Sequence, residues 1–294
     1  LKPVFKLNSS ITLVTYEVAI MNEKIRKIQH IIEPAPVVEG AGVRLKRSLG
    51  GEQLNYLDPF LLFDHFGSPN AEDYQAGFPM HPHRGIETVT YMLTGEVHHR
   101  DTLGNAGSIG AGDVQWMTAG GGILHEEMPQ VRPEGNGGFQ LWVNLPARLK
   151  MIQPRYQDIP SKTIPQVTTD EGATIRVIAG HVAGTEGAVT DIAAKPTYLD
   201  VRIPAGSFFT HPVPQGHTAF AYVFEGKVAF VEDEKGAQQW VAQPALVVWE
   251  DGDVVNMVAG EEPVRFLLIS AQPLHEPIAR YGPFVMNTKD EIAQ

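Results

Sequence analysis

From residue 31 onward the chain runs in short apolar segments broken by Gly, Pro, Asn or Asp at intervals of about 8 to 12 residues. The segments ETVTYML, GFQLWVNL, YLDVRI, AFAYVFEG and VRFLLIS are rich in β-branched and aromatic residues, which fit a pleated, half-buried surface. This punctuation predicts an all-β fold, a sandwich or a barrel. Helical periodicity is scarce. The best helix candidates are the stretch around Ile278–Tyr281 and the last residues, beyond the turn-rich GPFVMNT. Polar, Pro-containing sequence from Gln153 to Thr169 reads as a linker between two halves.

Two internal matches give the halves a common plan. YMLTGEV (91–97) aligns with YVFEGKV (222–228) at an offset of 131, and AGDVQWMTAG (111–120) aligns with DGDVVNMVAG (251–260) at an offset of 140. Repeated strand units predict two homologous β-barrels in tandem, an N-terminal domain over 21–160 and a C-terminal domain over 161–294. The unequal offsets predict nine extra residues in the second half, in a longer hairpin around EDEKGAQQ. Residues 1–20 precede Met21, and MNEKIRKIQHII resembles a chain start, so 1–20 are expected to be an upstream extension or a cloning remnant, dispensable for folding.

Composition narrows the chemistry. The chain has no cysteine, which excludes disulfides, thiolate nucleophiles and sulfur-ligated metals and leaves nitrogen and oxygen as donors. Lys and Arg number 23 against 34 Asp and Glu, and the net charge of −11 opposes direct nucleic-acid binding despite the basic patch at 44–47. No apolar run approaches the roughly 20 residues that cross a bilayer, and the start lacks the layout of a secretory signal. These features predict a cytoplasmic protein without membrane contact, with the nucleus also open if the source is eukaryotic; a monomer is expected.

The candidate chemistry centres on HPHRG at 81–85. Alternate residues of a strand share a face, so His81 and His83 converge, and Pro82 biases its neighbour toward extended backbone. In GGGILHEEMP the same alternation puts His125 and Glu127 on one face and Glu126 on the other. Two such strands facing each other give a set of three histidines and one carboxylate. Offset 131 places Pro212 and Pro214 opposite the first pair, and offset 140 places Arg265 and Leu267 opposite the second, so one half has four candidate ligands and the other none. His98 and His99 are adjacent and must face opposite ways. His30, His65, His181, His211, His217 and His275 lack a partner at ligand spacing, with His65 the first to reconsider. The Gly120–Gly122 run is read either as a close backbone approach to the site or as a plain flexible turn.

The HxH strand, the glycine after it and the GDV strand resemble the two signature motifs of the cupin superfamily. LDPFLLFDHF, FPMHPHRGIETVTYMLTGEVHHRD, GDVQWMTAGGGILHEE and YGPFVMNT resemble, more narrowly, the pirin family over nearly all of the chain after about residue 24. The resemblance implies a bicupin, two tandem cupin barrels of the double-stranded β-helix or jelly-roll type, with a metal in the N-terminal barrel only. It implies Fe(II), one per chain, on His81, His83, His125 and Glu127; imidazole and carboxylate also accept other divalent metals. Many cupins place a ligand carboxylate near Glu87, but the resemblance assigns that role to Glu127 and leaves Glu87 nearby or structural. Four protein ligands on a six-coordinate ion leave two positions open, the mark of a reactive centre. The flavonol-cleaving relatives imply a quercetin 2,3-dioxygenase acting on a flavonol-like aromatic substrate and O2, with Glu127 as the catalytic base. Other pirins imply an alternative: a non-enzymatic, redox-sensing regulator whose protein partner is a transcription factor or a metabolic enzyme.

Overall fold

The computed structural model describes residues 23–294; the expected extension 1–20 and the start at Met21 lie outside the described residues. The chain forms two compact units that interleave along the sequence. One comprises residues up to Ile32, Gln166–Arg176 and Tyr198–Ser270; the other comprises Glu33–Pro165, Val177–Thr197 and Ala271–Gln294. Neither the units nor the sheets divide at a single point of the chain. The N-terminal strand Ile28–Ile32 belongs with the C-terminal strands, and the last residues belong with the N-terminal ones.

Each unit carries one seven-stranded and one four-stranded sheet, and the orders correspond one to one. In the first-barrel unit the large sheet runs Arg155–Ile159, Val114–Thr118, Ile86–Thr94, Asn136–Asn144, Phe60–Ser68, Val43–Leu49, Ala35–Glu39. The small sheet runs Phe78–His83, Ile123–Gln130, Glu96–Asp101, Ala106–Gly110. In the second-barrel unit the large sheet runs Ile28–Ile32, Ala245–Trp249, Thr218–Glu225, Val264–Ala271, Thr197–Ile203, Thr174–Ala179, Gln166–Thr168, and the small one Phe208–Pro212, Val254–Ala259, Lys227–Val231, Gln238–Ala242. The fold is all-β with two barrels of one topology, as the repeat predicts. Among the described residues no helix is long and apolar enough to cross a membrane.

The match at offset 131 survives, because YMLTGEV and YVFEGKV occupy corresponding strands. The match at offset 140 does not. Val114–Thr118 lies in the large sheet, whereas Val254–Ala259 lies in the small one, where it corresponds to Ile123–Gln130. The true counterpart of Val114–Thr118 is Ala245–Trp249: Tyr91 faces Val114, and Tyr222 faces Leu246. The shared Gly-Asp-Val marks only a tight turn entering a strand, a local chemistry that recurs without homology of position. No nine-residue insertion exists, since these pairs are separated by nearly the same length of chain. The proposed linker is not structureless either: it holds the strand Arg155–Ile159, which edges the large sheet, and Gln166–Thr168.

Ile278–Tyr281 is not helical. Ala279–Tyr281 pairs with Phe284–Met286 in a hairpin whose two-residue turn is Gly282-Pro283, with Gly282 at φ 55°, a turn chemistry that overrides any helical propensity in so short a run. The terminal helix does form, over Lys289–Ala293. Thr288 caps it: its side chain accepts from the Glu291 amide while the Glu291 carboxylate accepts from the Thr288 amide.

Two buried cations fasten the ends of the chain. Arg26, 1 % exposed, donates to the carbonyls of Pro214, His217 and Glu250 and pairs with Asp251, tying the N-terminal segment into the second-barrel unit. Lys150 is equally buried, and its Nζ donates to Gly85 O at 2.9 Å, Asn144 Oδ1 at 2.7 Å and Val285 O at 2.8 Å, joining the C-terminal hairpin to the turn after His83. An ammonium has three protons and finds three acceptors. Burial pulls the Lys150 pKa down to about 8, against the opposing pull of Glu276 and Glu291.

Lys150→Met should strand those three acceptors and cost about 3 kcal/mol in denaturant unfolding. The pH dependence has a definite sign. Between about 8 and the unfolded value near 10.4 the unfolded chain binds the extra proton, so the stability contributed through Lys150 rises with pH across that window. The wild-type protein should therefore gain stability relative to Lys150→Met as pH is raised from 8 to 10, and unfolding curves recorded at both values check it.

Candidate metal centre

The small sheet of the first barrel builds the site by register. Phe78–His83 runs antiparallel to Ile123–Gln130, with Ile123 opposite His83 and His125 opposite His81. Paired residues point to one side of a sheet, so the register brings the three imidazoles together. Ring centroids lie 4.4 Å apart for His81 and His125, 4.9 Å for His81 and His83, and 5.1 Å for His83 and His125. One nitrogen of each ring falls within 4.8 Å of the other two.

The protonation of the rings follows from their neighbours. His81 Nδ1 lies 3.0 Å from Pro79 O, to which it donates, and Nε2 turns inward, 3.0 Å from His83 Nε2. His83 Nδ1 and both nitrogens of His125 are buried without a hydrogen-bond partner. Burial, reinforced by the neighbouring imidazoles, holds His83 well below the ordinary histidine range; burial likewise takes His125 down to about 4. Both are neutral near pH 7, the form that ligates metals. Buried polar nitrogens without partners call for an explanation, and a cation in the group would take one nitrogen of His125 and turn the close approach of His81 Nε2 and His83 Nε2 into shared ligation.

Glu127 follows His125 on the same inward face, and Glu126 points outward to pair with Arg100, as alternation predicts. The register slips between His125 and Glu127, which puts Glu127 opposite Phe78, and its carboxylate is not part of the tight imidazole group. Its Oε1 lies 3.1 Å from Thr90 Oγ1, which lies 2.7 Å from Gln140 Oε1. Glu87 is on the opposite face of the Thr90 strand. Its buried carboxylate accepts from Thr118 Oγ1 at 2.8 Å, burial raises its pKa, and it takes no part in the cavity, which makes it structural.

His81, His83 and Glu127 line a cavity of about 360 Å3, together with Thr90, Gln140 and Trp142. Leu45, Leu62, Phe66 and Phe78 make it largely apolar, and Arg280, Gly282 and Pro283 of the C-terminal hairpin complete its wall. Trp142 stands edge-on to His83 at 5.1 Å. Arg47 is held by both oxygens of Asp64 and by Glu39. Neither Trp142 nor Arg280 is signalled by local spacing; GFQLWVNL reads as a strand with an alternating face, and the hairpin reads as a helix.

The remaining histidines stay apart from the group. His98 is exposed beside Glu96, while His99 is buried, stacked on Tyr156 and 3.6 Å from Asp158, so the two do face opposite ways. His65 packs on Phe139 at 4.8 Å and does not line the cavity; burial lowers its pKa to about 4.

The second barrel can be read against the first through shared register. Glu127 faces Phe78 and His99, and Met257 faces Phe209 and Phe230 at the corresponding place. His125 opposite His81 then corresponds to Val255 opposite His211. The counterparts of the four candidate ligands are therefore His211, Val213, Val255 and Met257, rather than Pro212, Pro214, Arg265 and Leu267. One histidine remains, buried against Phe209, in a place where the other three positions are apolar.

Gly120 settles between the two readings of the glycine run. It sits at φ 52°, and a Cβ there would stand 2.1 Å from Ile152 O, while its own carbonyl accepts from Gly85 N at 2.8 Å. This is close backbone approach beside the turn that follows His83. Gly120→Ala should cost at least about 2 kcal/mol from strain and clash, a loss to be read from thermal or denaturant melts. Gly104→Ala, also at positive φ but with open space around it, should cost less.

Residues 42–143 match the Pirin family and residues 198–294 match the Pirin C-terminal cupin domain. A pirin-like protein of Caulobacter vibrioides is 44 % identical over 271 residues, covering 92 % of this chain and 96 % of its own. Human pirin is 45 % identical over 262 residues, covering 87 % and 86 %. Among solved structures, quercetin 2,3-dioxygenase from Acinetobacter baumannii superposes with a TM-score of 0.80 at 37 % identity, over 92 % of this chain and 94 % of that one.

Proposed function

The chain belongs to the pirin family of bicupins, and from that premise we propose that it is a metal-dependent dioxygenase of the quercetin 2,3-dioxygenase type. The observation that carries the reading is the group of three converging imidazoles, two of them buried, neutral and with unpartnered nitrogens, beside a cavity that His81 and His83 line and that is large enough for an aromatic substrate. The cavity favours catalysis over a purely regulatory role for the same centre.

The donor set fits Fe(II). His81 offers Nε2, His83 and His125 offer neutral rings, and Glu127 on the same face adds an anionic oxygen. When bound there, iron would supply Lewis acidity toward a flavonol oxygen and reactivity toward O2 for ring opening with release of carbon monoxide. The residues themselves orient and deprotonate. Glu127 takes the proton of the flavonol 3-hydroxyl at its carboxylate. A hydroxyl carries one proton, so Thr90 cannot donate to both Glu127 and Gln140. With Glu127 ionised, Thr90 donates to Oε1 and Gln140 turns its amide nitrogen to Thr90; with Glu127 protonated, Glu127 donates to Thr90 and Thr90 donates to Gln140 Oε1. The pair thus accommodates either state of the base. Trp142 and the apolar walls exclude water and bind the rings of the substrate.

Protein loaded with Fe(II) without oxygen and then exposed to O2 should consume quercetin and release carbon monoxide; loaded protein that does neither rejects the catalytic reading. Elemental analysis should find one metal per chain in the wild type and almost none in a His81→Ala, His125→Ala double variant, with His211 unable to hold an ion by itself. Glu127→Gln should lower turnover by roughly a hundredfold while unfolding free energy changes by no more than about 1 kcal/mol.

A further inference from the structure

We propose that Arg280 forms an anion-recognising subsite in the wall of the first-barrel cavity, selecting planar aromatic ligands that carry an acidic oxygen group at the end away from the histidines. The proposal rests on reading the cavity as a substrate site. It does not depend on the chemistry performed there.

Arg280 lines the same cavity as His81, His83 and Glu127. Its guanidinium lies over the ring of Trp142 at 5.1 Å, and Trp142 stands perpendicular to His83 at 5.1 Å. Trp142 therefore lies against both the imidazole group and the cation, on the wall of the cavity they share. The guanidinium is only partly engaged: Nε donates to Gly282 O at 3.2 Å and Nη1 to Leu61 O at 3.3 Å. Two of its five N–H groups are used, both on neutral carbonyls. Among the described residues no carboxylate forms an ion pair with it; Asp64 and Glu39, which pair directly with Arg47, act on Arg280 only through space. Arg280 is exposed as a residue on its strand, and its side chain lines the cavity.

Charge and rigidity make this a recognition site rather than a loose surface cation. The chain carries −11 overall, a field that repels acids, and Arg280 supplies the opposite sign at the cavity wall. Its hairpin is fixed by Lys150 on Val285 O, and by Arg84, whose amide donates to Pro283 O and whose carbonyl accepts from Val285 N. A guanidinium stacked on an indole and held at two N–H groups presents its remaining fork in a set direction, which suits a carboxylate, sulfonate or ionised phenol. The competing role is a clip that merely fastens the hairpin to Leu61. A clip would affect every ligand alike.

The test is calorimetric titration of the full chain, loaded with Fe(II) under anaerobic conditions, with 3,4-dihydroxybenzoate and with its methyl ester. The wild type should bind the acid about tenfold more tightly than the ester. Arg280→Gln should bring the ratio near one by weakening the acid alone, and Arg280→Lys should keep part of it, since charge remains without the fork. A wild type that binds neither probe, or does not prefer the acid, overturns the subsite. So does Arg280→Gln retaining the ratio; loss of both ligands equally in Arg280→Gln and Arg280→Lys assigns Arg280 to the clip. Quercetin turnover measured in parallel separates the two readings. Acid preference that depends on Arg280 in a protein without turnover rejects the dioxygenase and keeps the subsite, whereas turnover with an unaltered ratio in Arg280→Gln rejects the subsite alone.

Discussion

The antiparallel pairing of Phe78–His83 with Ile123–Gln130, in the register that sets His125 opposite His81, is the constraint on which the site depends. A strand delivers every second side chain to one face, and pairing in this register turns two such faces into one group of three imidazoles. A slip of one residue would send all of them outward. The backbone at the end of that pairing is held accordingly. Gly85 occupies φ 76° in a place where a Cβ would stand 1.9 Å from Val285 O, and its amide donates to Gly120 O. Burial then does the chemical work: it keeps His83 and His125 neutral and leaves His83 Nδ1 and both His125 nitrogens without protein partners.

The second barrel shows that topology alone does not make a centre. Its sheets have the same strand orders, and His211 stands where His81 does, yet Val213, Val255 and Met257 take the places of the other three. The inward space is packed by aromatic and aliphatic side chains such as Phe209, Phe230 and Phe266. His211 is accommodated there as a neutral ring, its pKa lowered to about 4 by burial, stacked on Phe209. A single imidazole among apolar neighbours is a packing element; convergence of several donors is what distinguishes the first barrel.

Much of this was legible in the sequence because strand periodicity and ligand spacing are both local. HPH and HEE fix which side chains share a face, and YMLTGEV with YVFEGKV fixes the repeat. What misled was also local: Gly-Asp-Val before a strand occurs in non-equivalent strands, so the offset of 140 assigned the wrong counterparts in the second half. The hairpin at Ala279–Met286 was hidden because its short apolar stretch has no periodicity, and only the Gly282-Pro283 turn betrays it. The interleaving of the units, the third donor of Lys150 to Val285 O and the arrival of Arg280 at the cavity all join residues distant in the chain. No spacing rule within a single sequence encodes such contacts.

The two ends of the cavity are mechanically joined through residues 83–85. His83 contributes an imidazole; Arg84, the next residue, pairs its backbone with Pro283 and Val285; Gly85 gives its carbonyl to Lys150, which also holds Val285. Ligand-donor geometry is therefore set by the small sheet, the far wall is set by the C-terminal hairpin, and a continuous set of main-chain hydrogen bonds connects them. A displacement of the hairpin large enough to release Arg280 from Trp142 must strain the turn that orients His83. The wall and the imidazole group consequently hold one spacing, which is what a rigid aromatic ligand spanning both requires.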